Sequence, residues 1–148
     1  MSPAETVHAG AVRFGGHGIL VRGVSGSGKS ALILHLLAAD PEARLVADDR
    51  VILSREGRRL VAAVPDVLAG LLEVRGQGLI RYPHVSPAPI DLVVDLKPLA
   101  ECPRLPGPEE ERVTLLDLDL PRLILPVGTH DEALRIRIAL ERLVAART

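Results

Sequence analysis

Residues Gly23-Val24-Ser25-Gly26-Ser27-Gly28-Lys29-Ser30 form a complete G-x-x-x-x-G-K-S pattern, and no other stretch restricts the fold so tightly. A polyphosphate needs several backbone N–H groups converging on it, and glycines permit the tight turns and close approach this requires. A helix N-terminus must face the negative charge, a lysine must reach the β/γ-phosphates, and a hydroxyl must meet Mg²⁺. The flanks agree. Ile19-Leu20-Val21 reads as a buried strand, and the apolar run Ala31 to Leu37 reads as a buried helix. Strand, loop and helix in this order imply binding of a nucleoside triphosphate such as ATP, with Gly23 to Ser30 as the phosphate contacts.

Composition narrows the partners. With 148 residues the chain is read as a single domain, residues 1–148, long enough to bury a core. Phe14 and Tyr82 are its only aromatic rings, so the core must be aliphatic. The same scarcity argues against single-stranded nucleic acid, which is usually held on aromatic platforms. A net charge of −1 gives no sign of a polyanionic partner. Cys102 is the single cysteine, which rules out an internal disulfide and suits a reducing cytoplasm. No signal peptide and no run of 18 apolar residues is evident, so a soluble, cytoplasmic protein without a membrane partner is expected.

Along the chain, residues 7–14 and 18–22 read as two strands joined by Gly15-Gly16-His17. The helix after the phosphate loop should stop near Asp40-Pro41. Leu45-Val46-Ala47 reads as a short buried strand, and residues 51–54 and 59–63 as a hairpin. Residues 65–71 suit a short helix with Pro65 near its start. Residues 90–96 form a strong strand signal. Residues 97–112 hold Pro98, Pro103, Pro106 and Pro108, which predicts a long functional or mobile loop. Residues 113–118 and 123–125 read as strands. Thr129-x-x-Glu132 resembles a capping box, with Leu134, Ile136, Ile138, Leu140 and Leu143 as the apolar positions of a final helix. The expected class is α/β, strand-rich, with a C-terminal helix.

A phosphate loop alone does not separate kinases from ATPases or GTPases. Asp48-Asp49 closes an apolar strand about twenty positions after Lys29, the topology that brings a carboxylate to a nucleotide's metal. One acid would hold Mg²⁺ and the other would accept a proton from an attacking hydroxyl. Taken without the loop, the same pair would be an ordinary solvated turn. Glu73, in Glu-Val-Arg-Gly-Gln-Gly, sits beside the guanidinium of Arg75 and two flexible glycines, which suits a metal ligand next to a phosphate clamp. Judged alone, His8 is unremarkable.

These stretches together resemble the catalytic domain of HPr kinase/phosphorylase. The matching segments are Val7-His8, Gly23 to Ser30, residues 45–50, Leu72-Glu73-Val74-Arg75-Gly76-Gln77-Gly78-Leu79-Ile80, Arg104-Leu105 and residues 120–127. The resemblance implies Mg-ATP-dependent phosphorylation of a serine on an HPr-type phosphocarrier protein, with a phosphate-dependent reverse reaction. It implies that Lys29 stabilises the transferring group and that Ser30, Glu73 and Asp48 meet Mg²⁺. His8 is implied at the phosphates and Arg104 on a mobile loop. It leans towards Asp49 as general base, but adjacent acids are not separable by sequence. A P-loop core like that of phosphoenolpyruvate carboxykinase and a hexamer are implied as well.

The chain departs from the common pattern in starting just before the catalytic domain, as in short α-proteobacterial-like forms. It also has Ala31 where the family often has Glu, and Gly128-Thr129-His130-Asp131 in place of a basic segment tied to the reverse reaction. That favours the kinase direction. A small-molecule kinase and a non-catalytic nucleotide switch are the rival readings. A hairpin ahead of the loop speaks against the first. Convergence of Asp48, Asp49, Glu73 and Arg104 would speak against the second.

Overall fold

In this computed structural model residues 4–147 are described. In chain order the elements are β1 (Glu5–Val7), β2 (Gly10–Phe14), β3 (His17–Arg22), α1 (Lys29–Ala39), β4 (Arg44–Ala47), β5 (Val51–Glu56) and β6 (Arg59–Ala63). They continue with β7 (Leu71–Val74), β8 (Gly78–Arg81), β9 (Ala88–Ile90), β10 (Leu92–Leu96), β11 (Arg112–Leu115), β12 (Leu118–Leu125) and α2 (Glu132–Arg147).

A six-stranded sheet, ordered β11-β12-β10-β3-β2-β4, forms the centre. Within it β3, β10 and β12 run parallel, while β2 is antiparallel to both of its neighbours and β11 is antiparallel to β12. Alternation along the strands sorts the core into two layers. Ile19, Val21, Leu92 and Val94 face α1 and α2, where they meet Leu32, Leu36, Ile136 and Leu140. Leu20, Val93 and Val46 face the other way, onto a four-stranded sheet ordered β1-β5-β6-β9. Strands buried on both faces need apolar residues at every position, which is why β3 and β10 read as continuous runs.

Several elements depart from expectation. The run 7–14 is two strands in different sheets, β1 and β2, broken at His8, and the run 90–96 likewise divides at Asp91. Periodicity cannot reveal a strand that changes sheets. Residues 65–71 make only a 3-10 turn, Asp66–Leu68, and residues 71–81 form the separate two-stranded ribbon β7-β8. The loop 97–112 carries a 3-10 turn at Leu99–Glu101. The expected strand 113–118 is instead β11, a tight turn with Leu116 and Asp117 at positive φ (49° and 62°), and the first residue of β12, which runs eight residues through Pro121 rather than over 123–125 alone. Helix α2 begins only at Glu132 and buries Ala133, Ile136 and Leu140, leaving Leu134 and Ile138 exposed. No helix among the described residues is long and apolar enough to cross a membrane.

Candidate active site

The loop 23–28 leaves β3 and ends at Gly28, whose φ of 100° precedes Lys29, the first residue of α1. A Cβ at Gly28 would stand 3.1 Å from Val127 Cγ1, so both the backbone region and the close approach call for glycine. Val24 O accepts from the Ser27 N–H at 3.0 Å, closing the turn. No side chain caps the start of α1 and no acid lies in its first turn. The first N–H groups of that helix are therefore left for an anion. Lys29 is only 8% exposed, and its ammonium donates to the carbonyls of Gly23 (2.8 Å) and Val24 (3.1 Å). The loop thus holds its own cation in place.

Asp48 and Asp49 follow β4 in a three-residue turn closed by the Arg50 N–H donating to Asp48 O at 2.9 Å. Asp49, at its centre, has φ 74°, a region few non-glycine residues adopt and one that aspartate tolerates better than most. The turn sends the two carboxylates to different partners. Asp48 accepts from Ser30 Oγ at 2.7 Å and from the Glu73 N–H at 3.2 Å. Asp49 meets His8 Nε2 at 3.1 Å, with both side chains more than half exposed. His8 reaches it from the break between β1 and β2, so the change of sheet that hid from periodicity is what delivers this imidazole.

Glu73 lies on β7, and Arg75 lies in the turn to β8 beside Gly76 (φ 87°). His8, Ser25, Gly26, Gly28, Lys29, Ser30, Asp48, Asp49, Glu73 and Arg75 all line one cleft of about 490 Å³, together with Ala31, Leu34 and Val74. Gly23, Val24 and Ser27 belong to the loop but do not line the cleft. Gly23 offers its carbonyl to Lys29, and Val24 is largely exposed. Arg104 is not brought to the cleft. It is exposed in the 97–112 segment and forms no ion pair among the described residues.

Among the described residues no three His, Cys, Asp or Glu side chains converge as a metal group. What the cleft does offer is oxygen donors, the Ser30 hydroxyl and the carboxylates of Asp48 and Glu73. That set fits a hard divalent cation such as Mg²⁺, which typically takes one or two carboxylates and completes its shell with water and phosphate oxygens.

A second charged group went unnoticed in the sequence. Arg22, the last residue of β3 and the one before Gly23, donates through Nε and Nη2 to Asp95 on β10 (2.7 and 2.8 Å). Arg122 Nε on β12 donates to the same carboxylate at 2.6 Å. The Asp95 side chain is nearly buried. Burial alone would push its pKa up, but the two guanidiniums more than offset this and hold it below the usual carboxylate value, while Arg22 is raised by its bond to Asp95. The signal available was a charge in each of three apolar strand runs, Ile-Leu-Val-Arg, Val-Val-Asp-Leu and Pro-Arg-Leu-Ile. Nearby, Glu132 accepts from Thr129 Oγ1 (2.8 Å) and the Gly128 N–H (3.3 Å). The capping-box residues therefore meet, although Thr129 stands three residues ahead of the helix.

Comparison with known proteins gives a consistent answer. A family model described as HPr Serine kinase C-terminal domain matches residues 1–144. A protein named HPr kinase/phosphorylase from Geobacillus thermodenitrificans is 38% identical over 141 residues, covering 86% of this chain and 44% of the relative. One from Geobacillus kaustophilus is 40% identical over 138 residues, covering 86% and 43%. The chain thus spans less than half the length of these curated relatives. A solved structure, the Hpr(Ser) kinase/phosphatase from Coxiella burnetii, superposes with a TM-score of 0.82 at 25% identity, covering 97% of this chain and 98% of that one.

Proposed function

The chain belongs to the HPr Serine kinase C-terminal domain family, and from that premise we propose that it transfers the γ-phosphoryl group of ATP to a serine of an HPr-type phosphocarrier protein. One observation carries the reading. The Gly23–Ser30 loop, the Asp48/Asp49 pair, His8, Glu73 and Arg75, drawn from four separate stretches of sequence, face one cleft.

Phosphoryl transfer asks for positioning and charge neutralisation more than covalent chemistry. The loop amides and the N-terminus of α1 receive the phosphates. The Lys29 ammonium exchanges its two loop carbonyls for phosphate oxygens, staying a few ångströms from where it already sits. Ser30, Asp48 and Glu73 would hold Mg²⁺, which would supply charge neutralisation for the phosphates. Because Asp48 is engaged with Ser30, Asp49 is the acid left to orient and deprotonate the acceptor serine. His8, 3.1 Å away, fixes the rotamer of Asp49. Its carboxylate serves as a positioned proton acceptor late in a loose transition state. Arg75 offers a guanidinium to the phosphates, and Arg104 enters only when the 97–112 segment closes over bound substrate.

With inorganic phosphate as the acceptor, the same groups would break the serine Oγ–P bond and form pyrophosphate, the proton returning to the freed hydroxyl. The reading extends to the phosphoenolpyruvate carboxykinase-like core, a cytoplasmic setting and a hexamer, the last checked by light scattering. The central test is incubation with labelled ATP, Mg²⁺ and an HPr-type carrier, with mass spectrometry of the carrier. One phosphorylated serine, lost on chelation of Mg²⁺, is the expected result. Label transferred only to a small molecule, or hydrolysis without transfer, would refute it.

A further inference from the structure

At the opposite ends of the strands that carry the phosphate loop lies a second cleft, of about 470 Å³. The loop leaves the carboxyl end of β3, whereas this cleft gathers Ile90 and Asp91 ahead of β10, Pro121 ahead of the parallel part of β12, and the last turn of α2. Its floor is apolar, built from Leu60, Leu120 and Leu143, and its rim is guanidinium-rich. Arg58, Arg59, Arg112 and Arg147 stand there against two carboxylates, Asp91 and Asp119.

Both carboxylates are already committed. Asp119 is paired with Arg112 at 3.0 Å. Asp91 accepts from the Gly18 N–H and meets His17 Nδ1, each at 3.2 Å, with Arg147 Nη1 at 3.8 Å. Arg58, in the β5–β6 turn, and Arg59, the first residue of β6, form no ion pair among the described residues. With four arginines against two paired aspartates, the lining of the cleft carries excess positive charge.

We propose that this cleft binds a small organic polyanion through Arg58 and Arg59, with Arg112 and Arg147 completing the contact. The volume lies within the range of small-molecule sites. Planar guanidiniums favour phosphate or carboxylate groups bidentately, and the aliphatic floor accepts the short carbon body between two such groups. Nothing in this site is shared with the phosphate loop, so the proposal stands apart from the kinase reading.

The test is titration of the full chain with citrate and, separately, with inorganic pyrophosphate, following backbone amides by NMR and taking the affinity from the amides of residues 58–60, 91 and 146–147. Citrate or pyrophosphate should shift amides at residues 58–60, 91 and 146–147. The double variant R58A/R59A should weaken that binding at least tenfold, R58K/R59K should restore part of it, and K29A should leave it unchanged. A response to citrate alone or pyrophosphate alone assigns the carboxylate or phosphate class. Shifts confined to residues 23–30, binding lost with K29A but kept in R58A/R59A, an equal response to chloride at matched ionic strength, or no response to either probe would overturn the proposal.

Discussion

Replacing Asp95 with asparagine should be among the most costly single changes in this protein, although Asp95 does not line the candidate cleft. Its carboxylate is the shared acceptor of three charge-assisted bonds, from Arg22 Nε and Nη2 and Arg122 Nε, all between 2.6 and 2.8 Å. Breaking a buried pair by removing one partner typically costs about 3–5 kcal/mol, because the remaining charge is left uncompensated. Here two guanidiniums are stranded, but their side chains are 32% and 21% exposed and recover some hydration. The lower end, about 3 kcal/mol, is therefore expected, and for a domain of this size it corresponds to a fall in Tm of roughly 6–12 °C.

The effect must also depend on pH. The folded pKa of Asp95 is depressed, so its contribution is complete above the ordinary value of 3.8 and is lost as pH falls through the depressed folded value. The gap between parent and D95N should thus be full at neutral pH and close only in acid. Thermal unfolding at several pH values measures this. A D95N midpoint within about 2 °C of the parent at pH 7, or a gap independent of pH down to full acid unfolding, would refute the reasoning. The double change R22M/D95N separates the terms, since losing less than the two single changes combined would show that the pair is coupled.

K29A should abolish transfer to the carrier serine while the fold persists, read as turnover against circular dichroism. D49N should lose at least 10²-fold in kcat with nucleotide affinity near normal, whereas D48N should weaken Mg-nucleotide binding; equal behaviour of the two in calorimetry and turnover would overturn the division of labour. G28A places a side chain at φ 100° and 3.1 Å from Val127, so it should destabilise by about 1–3 kcal/mol in thermal unfolding and weaken nucleotide binding. Residues 97–112 should resist proteolysis better with nucleotide and carrier bound if Arg104 closes on the site, and equal cleavage would remove that role.

The sequence made the site more legible than the framework around it. Gly23 to Ser30 carries its chemistry in residue type and spacing, and the acids announce themselves after an apolar strand. Their separate partners were not visible, because they depend on a tight turn and a positive φ at Asp49 that no propensity encodes. The breaks at His8 and Asp91 escaped for a related reason: a strand that crosses from one sheet to another stays apolar on both sides of the crossing. Leu116-Asp117 lacks the glycine or asparagine that marks most tight hairpins, so residues 113–118 read as one strand running through the turn. Leu134 and Ile138 misled because hydrophobicity was counted without knowing which side of α2 meets β12.

Strand β3 lies inside the central sheet, hydrogen-bonded to β2 on one side and β10 on the other, whereas Glu73 and Arg75 ride on a two-stranded ribbon held to α1 chiefly by buried Leu72. The two halves of the cleft therefore differ in stiffness. Hydrogen exchange should be slowest at residues 19–21 and far faster along residues 73–79. Under the proposed phosphoryl transfer, a bulky acceptor would be admitted and let go by tilting one thin flap, while the anvil meant for the triphosphate stays fixed.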